Sequence, residues 1–454
     1  MSVAPRGYAP RPDRHTPPFS SRLSRGSHPD CRAAIAGICS LAYLIIAARV
    51  LGPTDYGILI LVHGYALAVG GIISFPGWHA IVRYGAPALA QNDRDRLWRL
   101  MRFTALLELA FGLLAIGLGM ILAPIIAPRL GISGAALHYV VPYSIAILMT
   151  VRTTPAGYLQ LLRQFKLLGL HHAIMPICRL VGALLVTVLE KGLTGFIFVW
   201  LVSSIVESIS LWAMGWWVAR RHDAGQSLFR ANDARAPDIR EENPGLLRFM
   251  VSANADTTFA ELSPRIALLA VGWVLGPTAA GLFSIAQRAT VIIAQPAQVL
   301  SQAAYTEFAH LVANGGRSFA LRKALFGSIG VSMLVALPLV VMIAWFSEEF
   351  VVLLGGEAFV KAATLAIWLL AARMITLPVP QLSSALIALG YAGWSMTANI
   401  AASVFALPFL PWALHRFNLI GSGFFAVVES VISLGVFLVL CLRFTVTNSS
   451  RVTD

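Results

Sequence analysis

Apolar stretches of about twenty residues recur along nearly the whole chain, and no other feature restricts its fold so strongly. Wound as a helix, about twenty mainly apolar residues cover the ~30 Å hydrocarbon core of a bilayer. The stretches fall at about 33–51, 57–80, 100–127, 136–160, 168–189, 195–219, 247–274, 279–304, 318–346, 363–389, 393–415 and 418–442. A membrane β-barrel would instead show segments of about ten residues that alternate in polarity. The chain therefore reads as an all-α membrane protein of about twelve transmembrane helices. Its composition agrees. Of 454 residues, 57% are hydrophobic and only 12% are charged, about half the charge of a soluble domain. Mean hydropathy is +0.75. Such a chain cannot cover itself with polar surface, so most of it must face lipid.

The formal net charge of +13 does not imply a nucleic-acid partner, because the basic residues are sorted by loop. The segment before the first stretch carries Arg6, Arg11, Arg14, Arg22, Arg25 and Arg32. The second loop carries Arg83, Arg94, Arg96, Arg99 and Arg102, and the sixth carries Arg220, Arg221, Arg230, Arg235, Arg240 and Arg248. The odd loops hold only Arg49, Arg129, Lys191, Lys361 and Arg416. Positive residues stay on the cytoplasmic side. Both termini are thus expected in the cytoplasm of a bacterial cell, with the chain in the inner membrane. Residues 1–32 and 444–454 read as cytoplasmic tails, the first disordered, with the first helix an uncleaved anchor. Cys31, Cys39, Cys178 and Cys441 form no CxxC pair and no metal spacing. No Walker A run, HExxH or nucleophile motif occurs, and no odd loop is long enough for an external catalytic domain. The chain reads as no enzyme, with no cofactor and no metal.

The sequence also repeats itself. Val50-Leu51-Gly52-Pro53-Thr54 is matched by Val274-Leu275-Gly276-Pro277-Thr278, and Gly57 by Gly281, at one constant offset. Leu130-Gly131 matches Leu354-Gly355. With small drift, Leu168-Gly169 matches Leu389-Gly390 and Val206-Glu207-Ser208 matches Val428-Glu429-Ser430. The repeat holds six helices. Six is even, so both copies enter the membrane from the same side, as parallel repeats with a substrate site between them. The expected division is a first lobe at 33–220, a cytoplasmic linker at 221–246 and a second lobe at 247–443.

Two families with parallel six-helix repeats are candidates. The second loop, from Tyr84-Gly85-Ala86 to Asp93-Arg94, lacks the basic signature run of the major facilitator type. In contrast, Ala48-Arg49-Val50-Leu51-Gly52-Pro53-Thr54-Asp55-Tyr56-Gly57 resembles the "ARxLGPxxYG" start of the oligosaccharide-flippase branch of the multidrug/oligosaccharidyl-lipid/polysaccharide exporter superfamily. Ala270-Val271-Gly272, followed by Gly281-Leu282-Phe283-Ser284-Ile285-Ala286, resembles a second motif of that branch. The resemblance extends over about 33–443. It implies two six-helix bundles in the V-shaped MATE-like fold, and alternating access. The implied cargo is a polyprenyl-pyrophosphate-linked oligosaccharide, the repeat unit of an O-antigen, capsule or exopolysaccharide. Membrane lipids are the other partners, with glycan polymerase or ligase machinery as a further candidate. A cation-coupled multidrug exporter and a peptidoglycan lipid-precursor flippase are the alternatives.

Charges at membrane depth carry the expected site. An arginine at the centre of a spanning helix costs about 2.5–3.5 kcal/mol on an insertion scale, so such residues mark functional candidates. Arg265, Arg288, Arg152 and Arg373 are the expected ligands of the pyrophosphate, because a guanidinium is always charged and presents a planar fork of donors to phosphate. Arg152 and Arg373 stand at the offset of the matched Leu-Gly pairs and so at equivalent places in the two halves. Internal salt bridges to Asp256, Glu261, Glu207 or Glu429 are the competing reading, with Glu261 and Arg265 at i, i+4. Asp256 and Glu429 are candidates for coupling to Na⁺ or H⁺. Pro76, Pro155, Pro264, Pro378 and Pro380 are expected bends, and Trp212, Trp216 and Trp217 an interfacial belt.

Overall fold

Two glycine-proline turns organise the molecule. In the computed structural model Gly52 adopts φ 69°, ψ 177° and Gly276 adopts φ 85°, ψ 177°. A Cβ all but forbids this backbone region, so glycine is the residue that can turn there. Each is followed by a proline that opens the next helix, where its missing N–H costs nothing. The structure describes residues 31–73, 75, 77–132, 137–222, 238–313, 318–389 and 391–450.

In the first half, α1 (Cys31–Ile73) is 43 residues long, roughly 60 Å at 1.5 Å per residue and twice the hydrocarbon core. It is two passes joined at Gly52. The second pass continues, after a break, in α2 (Trp78–Ala90), and α3 (Arg94–Ile126) is the third. The fourth is built from α4 (Leu137–Tyr143), a 3-10 stretch (Ser144–Thr150) and α5 (Thr153–Leu161). The fifth is α6 (Phe165–Val188) and the sixth α7 (Gly192–His222). A short α8 (Ile239–Glu242) precedes the second half. Its seventh and eighth passes are α9 (Leu246–Leu275) and α10 (Pro277–Ala313), the ninth is α11 (Ser318–Trp345), and α12 (Ser347–Gly355) is a short connecting helix. The tenth pass is α13 (Ala362–Thr376) with α14 (Val379–Ala388). The eleventh and twelfth lie in α15 (Ala392–Ala406) and α16 (Phe409–Ser450), the latter kinked at Asn418.

The result is an all-helical membrane protein of two parallel six-helix bundles, with no strand among the described residues. Among the described residues, seven helices are individually long and apolar enough to cross a bilayer. The other passes are broken, or carry polar groups, and they include those that meet between the halves. The repeat is visible in the backbone as well as the sequence. Gly192 (φ 53°) and Asn418 (φ 52°) make the matching links before the sixth and twelfth passes.

The two Gly-Pro vertices interlock about the pseudo-twofold axis. Thr54 and Thr278, equivalent residues, share a hydrogen bond of 2.8 Å. A methyl on Gly57 would overlap the Pro277 carbonyl, and one on Gly281 would overlap the Pro53 carbonyl. A Cβ on Gly131 would stand 2.7 Å from Pro277 Cδ. Tyr56, fully buried, packs edge-on against Phe359 at 5.8 Å. Arg49 then crosses between the halves, donating from Nη2 to the carbonyls of Leu353 (2.9 Å) and Val352 (3.3 Å). These belong to the last turn of α12, where a cation also meets the negative end of the helix dipole. One apolar core runs through this contact, from Tyr43, Leu59 and Tyr143 to Val271, Phe283, Leu365 and Phe425. Away from it, large side chains such as Leu113, Ile121, Leu334 and Val341 stay exposed, as they should where the solvent is lipid.

At the opposite end the expected linker is partly built into the first half. Arg99 forms an ion pair with Glu242. Arg96 donates to the Glu242 carbonyl at 2.6 Å and to Asn243 Oδ1 at 3.1 Å. Tyr84 donates to the Pro244 carbonyl at 3.3 Å, and Arg83 lies 4.3 Å from the Phe249 ring centroid. Leu246 and Met250 are buried with Ala80 and Leu100. The stretch 238–250 is therefore docked on the second and third passes. Residues 1–30, 223–237 and 451–454, which hold most of the expected N-terminal tail, the middle of the linker and the end of the C-terminal tail, lie outside the described residues, as does Pro76.

The interlock predicts a distance. In a background without the native cysteines, Thr54→Cys with Thr278→Cys is expected to cross-link rapidly under mild oxidation. Adding Gly57→Val, whose side chain has no room against the Pro277 carbonyl, is expected to slow that cross-link at least tenfold while the protein still elutes as a folded species. An equal rate with and without Gly57→Val would contradict the packing described.

Candidate functional site

The fourth pass is broken at Val151-Arg152, and side chains serve three of the backbone groups there. Glu108, buried on α3, accepts from the backbone N–H groups of Thr153 (2.5 Å) and Thr154 (2.9 Å), the first turn of α5. A carboxylate at this place satisfies orphan donors and meets the positive end of the helix dipole. Trp212 Nε1 and Ser208 Oγ donate to the Val151 carbonyl at 2.9 and 3.1 Å. Trp212 is thus a partner for broken backbone. Of the three expected belt residues, Trp216 and Trp217 have the exposure, 56% and 45%, that an interfacial belt requires.

Arg152 sits at the break and forms an ion pair with Glu207 of the sixth pass. His171 completes the group. Its Nε2 is 3.1 Å from Arg152 Nη1, and its Nδ1 is 3.3 Å from Ser210 Oγ. All these residues belong to the first half. The equivalent pair in the second half is looser. The Glu429 charge acts on Arg373, but Glu429 Oε1 accepts from Ser263 (2.9 Å) and Ser403 (3.1 Å). The side chains of Asp256 and Glu261 lie outside the described residues.

Three further arginines, Arg265, Arg288 and Arg179, lie on other passes. Arg265 on α9 donates from Nη1 to the Leu67 carbonyl of the second pass at 2.8 Å, against Gly71, where a Cβ would collide with it. Arg288 on α10 is exposed, and its charge reaches Tyr43, Tyr56 and His63. Among the described residues it makes no hydrogen bond and no ion pair. Arg179 on α6 is only 3% exposed. Its Nε donates to Ser203 Oγ at 3.0 Å and its Nη1 to Tyr43 Oη at 3.4 Å, while the guanidinium lies 4.3 Å from the Trp200 ring centroid. Its Nη2 is buried with no partner, and no carboxylate stands within 4 Å of it among the described residues. His63, held by Tyr143 Oη at 2.8 Å and edge-on to Trp200, feels the charges of Arg179, Arg288 and Arg265 together.

The four expected anion ligands therefore divide. Arg265 reaches across to a first-half carbonyl and Arg288 makes no described ion pair, while Arg152 and Arg373 have acids of their own halves nearby. Arg179 is a further arginine without a described acid. Its position in a membrane span marks it as a candidate, but its lack of a counter-ion depends on long-range packing that no sequence spacing shows. Arg179 is buried with one N–H group unpartnered, and a buried cation in that state attracts an anion.

Comparison with known proteins agrees with this architecture. The sequence profile of a family described as polysaccharide biosynthesis protein matches residues 46–364. Inner membrane protein YghQ of Escherichia coli strain K12 is 27% identical over 330 residues, which cover 72% of this chain and 90% of that protein. Among solved structures, the inward-facing conformation of a multidrug resistance MATE family transporter of the MOP superfamily has a TM-score of 0.73 at 15% identity, covering 92% of this chain and 98% of the other. Lipid II flippase MurJ in an inward closed conformation has a TM-score of 0.66 at 14% identity, covering 92% and 89%. At such identities the structural likeness carries the fold. The profile spans more than half of the chain, on helices whose Gly-Pro repeat now has a structural role, and on that ground the protein belongs to the polysaccharide biosynthesis protein family.

Proposed function

We propose that this protein is a flippase for a polyprenyl-pyrophosphate-linked oligosaccharide, the repeat unit of an O-antigen, capsule or exopolysaccharide, in the bacterial inner membrane. The observation that carries the reading is the pair Arg179 and Arg288. Arg179 is buried against Tyr43 and Trp200, the charge of Arg288 reaches Tyr43 and His63, and neither guanidinium has a described acidic partner. A pyrophosphate brings at least two negative charges, and the guanidinium fork suits its oxygens. Arg265, beside Gly71, is the third ligand. A cationic drug would be repelled from the same place, which weighs against the exporter alternative. The protein makes and breaks no covalent bond in this role.

Alternating access is the motion that suits this reading. The loops with few basic residues include the two Gly-Pro vertices, so the positive-inside rule puts the interlocked end outside and both termini in the cytoplasm. With lobes at 33–220 and 247–443 joined by the linker at 221–246, the cleft would open inward and pass the head group outward as the interlock separates. Glu429, held by two serine hydroxyls, is the candidate for coupling to Na⁺ or H⁺, with Asp256 as its companion on α9.

Three outcomes are expected. First, in proteoliposomes with a fluorescent polyprenyl-pyrophosphate oligosaccharide, wild type flips the lipid, and Arg179→Gln, Arg265→Gln and Arg288→Gln each lower the rate at least tenfold. Arg288→Gln leaves thermal stability unchanged, because no described partner is lost. Arg152→Ala lowers it, since removing one member of a buried pair costs about 3–5 kcal/mol, and Arg152→Met with Glu207→Met recovers much of the loss. No flipping by folded wild type, with transport of an organic cation instead, would replace the proposal by the exporter reading. Second, Glu429→Gln abolishes the response of flipping to an imposed Na⁺ or proton gradient and leaves gradient-free exchange intact. An unaltered response would remove Glu429 from the coupling site. Third, a cytoplasm-only fluorescent reporter is bright on both termini, and a dark reporter at either would reverse the assigned orientation.

A further inference from the structure

The cytoplasmic end proposed for the sixth pass carries a feature that cargo transport does not use. The last two turns of α7 read Trp216-Trp217-Val218-Ala219-Arg220-Arg221. Val218 and Ala219 are buried, at 1% and 6% exposure, against the neighbouring fourth and fifth passes, in one cluster with Leu162, Leu167 and Leu168. That leaves both tryptophans and both arginines on the lipid-facing side, each arginine one helical turn beyond a tryptophan. The Arg220 guanidinium carbon lies 3.8 Å from the Trp216 ring centroid and that of Arg221 lies 3.6 Å from the Trp217 centroid. Two Trp-Arg stacks therefore stand side by side.

The arginines are exposed, and among the described residues neither makes a hydrogen bond or an ion pair. The stack uses only the face of each guanidinium. It holds the group against an apolar ring and leaves the whole in-plane edge of N–H donors free. Those donors sit where indole rings prefer to lie, at the boundary between acyl chains and head groups. Arg94 adds a third cation at the same level, donating to the His222 carbonyl at the end of the helix at 2.5 Å. A belt tryptophan alone would need no arginine on its face, and a topogenic arginine alone would need no ring.

We infer that Trp216, Trp217, Arg220 and Arg221 form a head-group site for an anionic glycerophospholipid of the inner leaflet. The phosphate takes the free guanidinium edges, and the upper acyl chains lie along the indoles. The assignment to the inner leaflet rests on the orientation proposed above. Lipid binding at the patch does not, so the two can fail separately.

The test uses the full chain purified in detergent, with lipid binding followed by thermal shift and by native mass spectrometry. Phosphatidylglycerol is expected to raise the Tm of wild type, less so at high salt, and phosphatidylcholine is not. Each basic residue at an anionic surface strengthens binding by about fivefold, so Arg220→Gln with Arg221→Gln should weaken phosphatidylglycerol binding by roughly 30-fold. Arg220→Lys with Arg221→Lys keeps the charge but loses the fork and should fall between, which keeps the test open if the glutamine variant folds poorly. Equal phosphatidylglycerol affinity in wild type and the glutamine variant would overturn the inference. An equal response to phosphatidylcholine would do so too. So would binding of a polyprenyl pyrophosphate without a phosphatidylglycerol response, which would make the patch a waiting place for cargo.

Discussion

In hydrocarbon there is no water to accept a stray hydrogen bond, and the break in the fourth pass of this protein is settled by that constraint. An unsatisfied backbone group at membrane depth costs several kcal/mol. The break in the fourth pass would leave the Thr153 and Thr154 N–H groups and the Val151 carbonyl unpaired. Glu108, Trp212 and Ser208 meet them all. A buried carboxylate looks from the sequence like a transport group. Here it is the cap that lets a spanning helix be broken, and the break in turn places Arg152 beside Glu207.

The same constraint explains how two similar halves come to differ. Both begin with helix, Gly-Pro turn, helix, and the turns have nearly the same dihedral angles. Where the equivalent residues meet each other, at Thr54 with Thr278 and Gly57 with Gly281, each is restricted by its own copy, and the sequence is repeated most faithfully there. Between lipid tails, close approach of small residues replaces the hydrophobic driving force that water would supply. Further from the axis the copies are free to drift. Arg152 meets Glu207 directly, whereas Glu429 is held by Ser263 and Ser403, with Ser263 contributed by the seventh pass. The first half thus has a closed charge pair and the second an acid still partnered by neutral hydroxyls.

The fold was legible because its determinants are local or periodic. Apolar runs reveal passes, and a constant offset reveals the repeat. The site was only partly legible because its determinant is pairing between distant residues. Arg152 and Arg288 look alike in the sequence, each a single cation in an apolar run. One lies beside an acid 55 positions away, and the other faces the opposing half with none described. Arg179 was the harder case, since its importance lies in what stands around it: Tyr43 of the first pass and Trp200 and Ser203 of the sixth. The three tryptophans near the end of the sixth pass form one group by composition, yet Trp212 points to a carbonyl inside the bundle while its neighbours face lipid.

Arginine rather than lysine at the centre of the molecule has a physical consequence. A lysine without an acid can release its proton when desolvated, and the cleft would become neutral whenever it was dry. A guanidinium does not deprotonate in proteins. Arg179 can therefore be buried to 3% exposure and remain a cation, its charge spread over a planar group lying against the Trp200 indole. A permanent charge without an acid keeps the space between the halves unfavourable to cations and to an empty, dry closed state. In the proposed function a doubly negative head group would relieve both conditions at once. That difference between an empty and a loaded cleft would let the protein change shape more readily with its proposed cargo than without it.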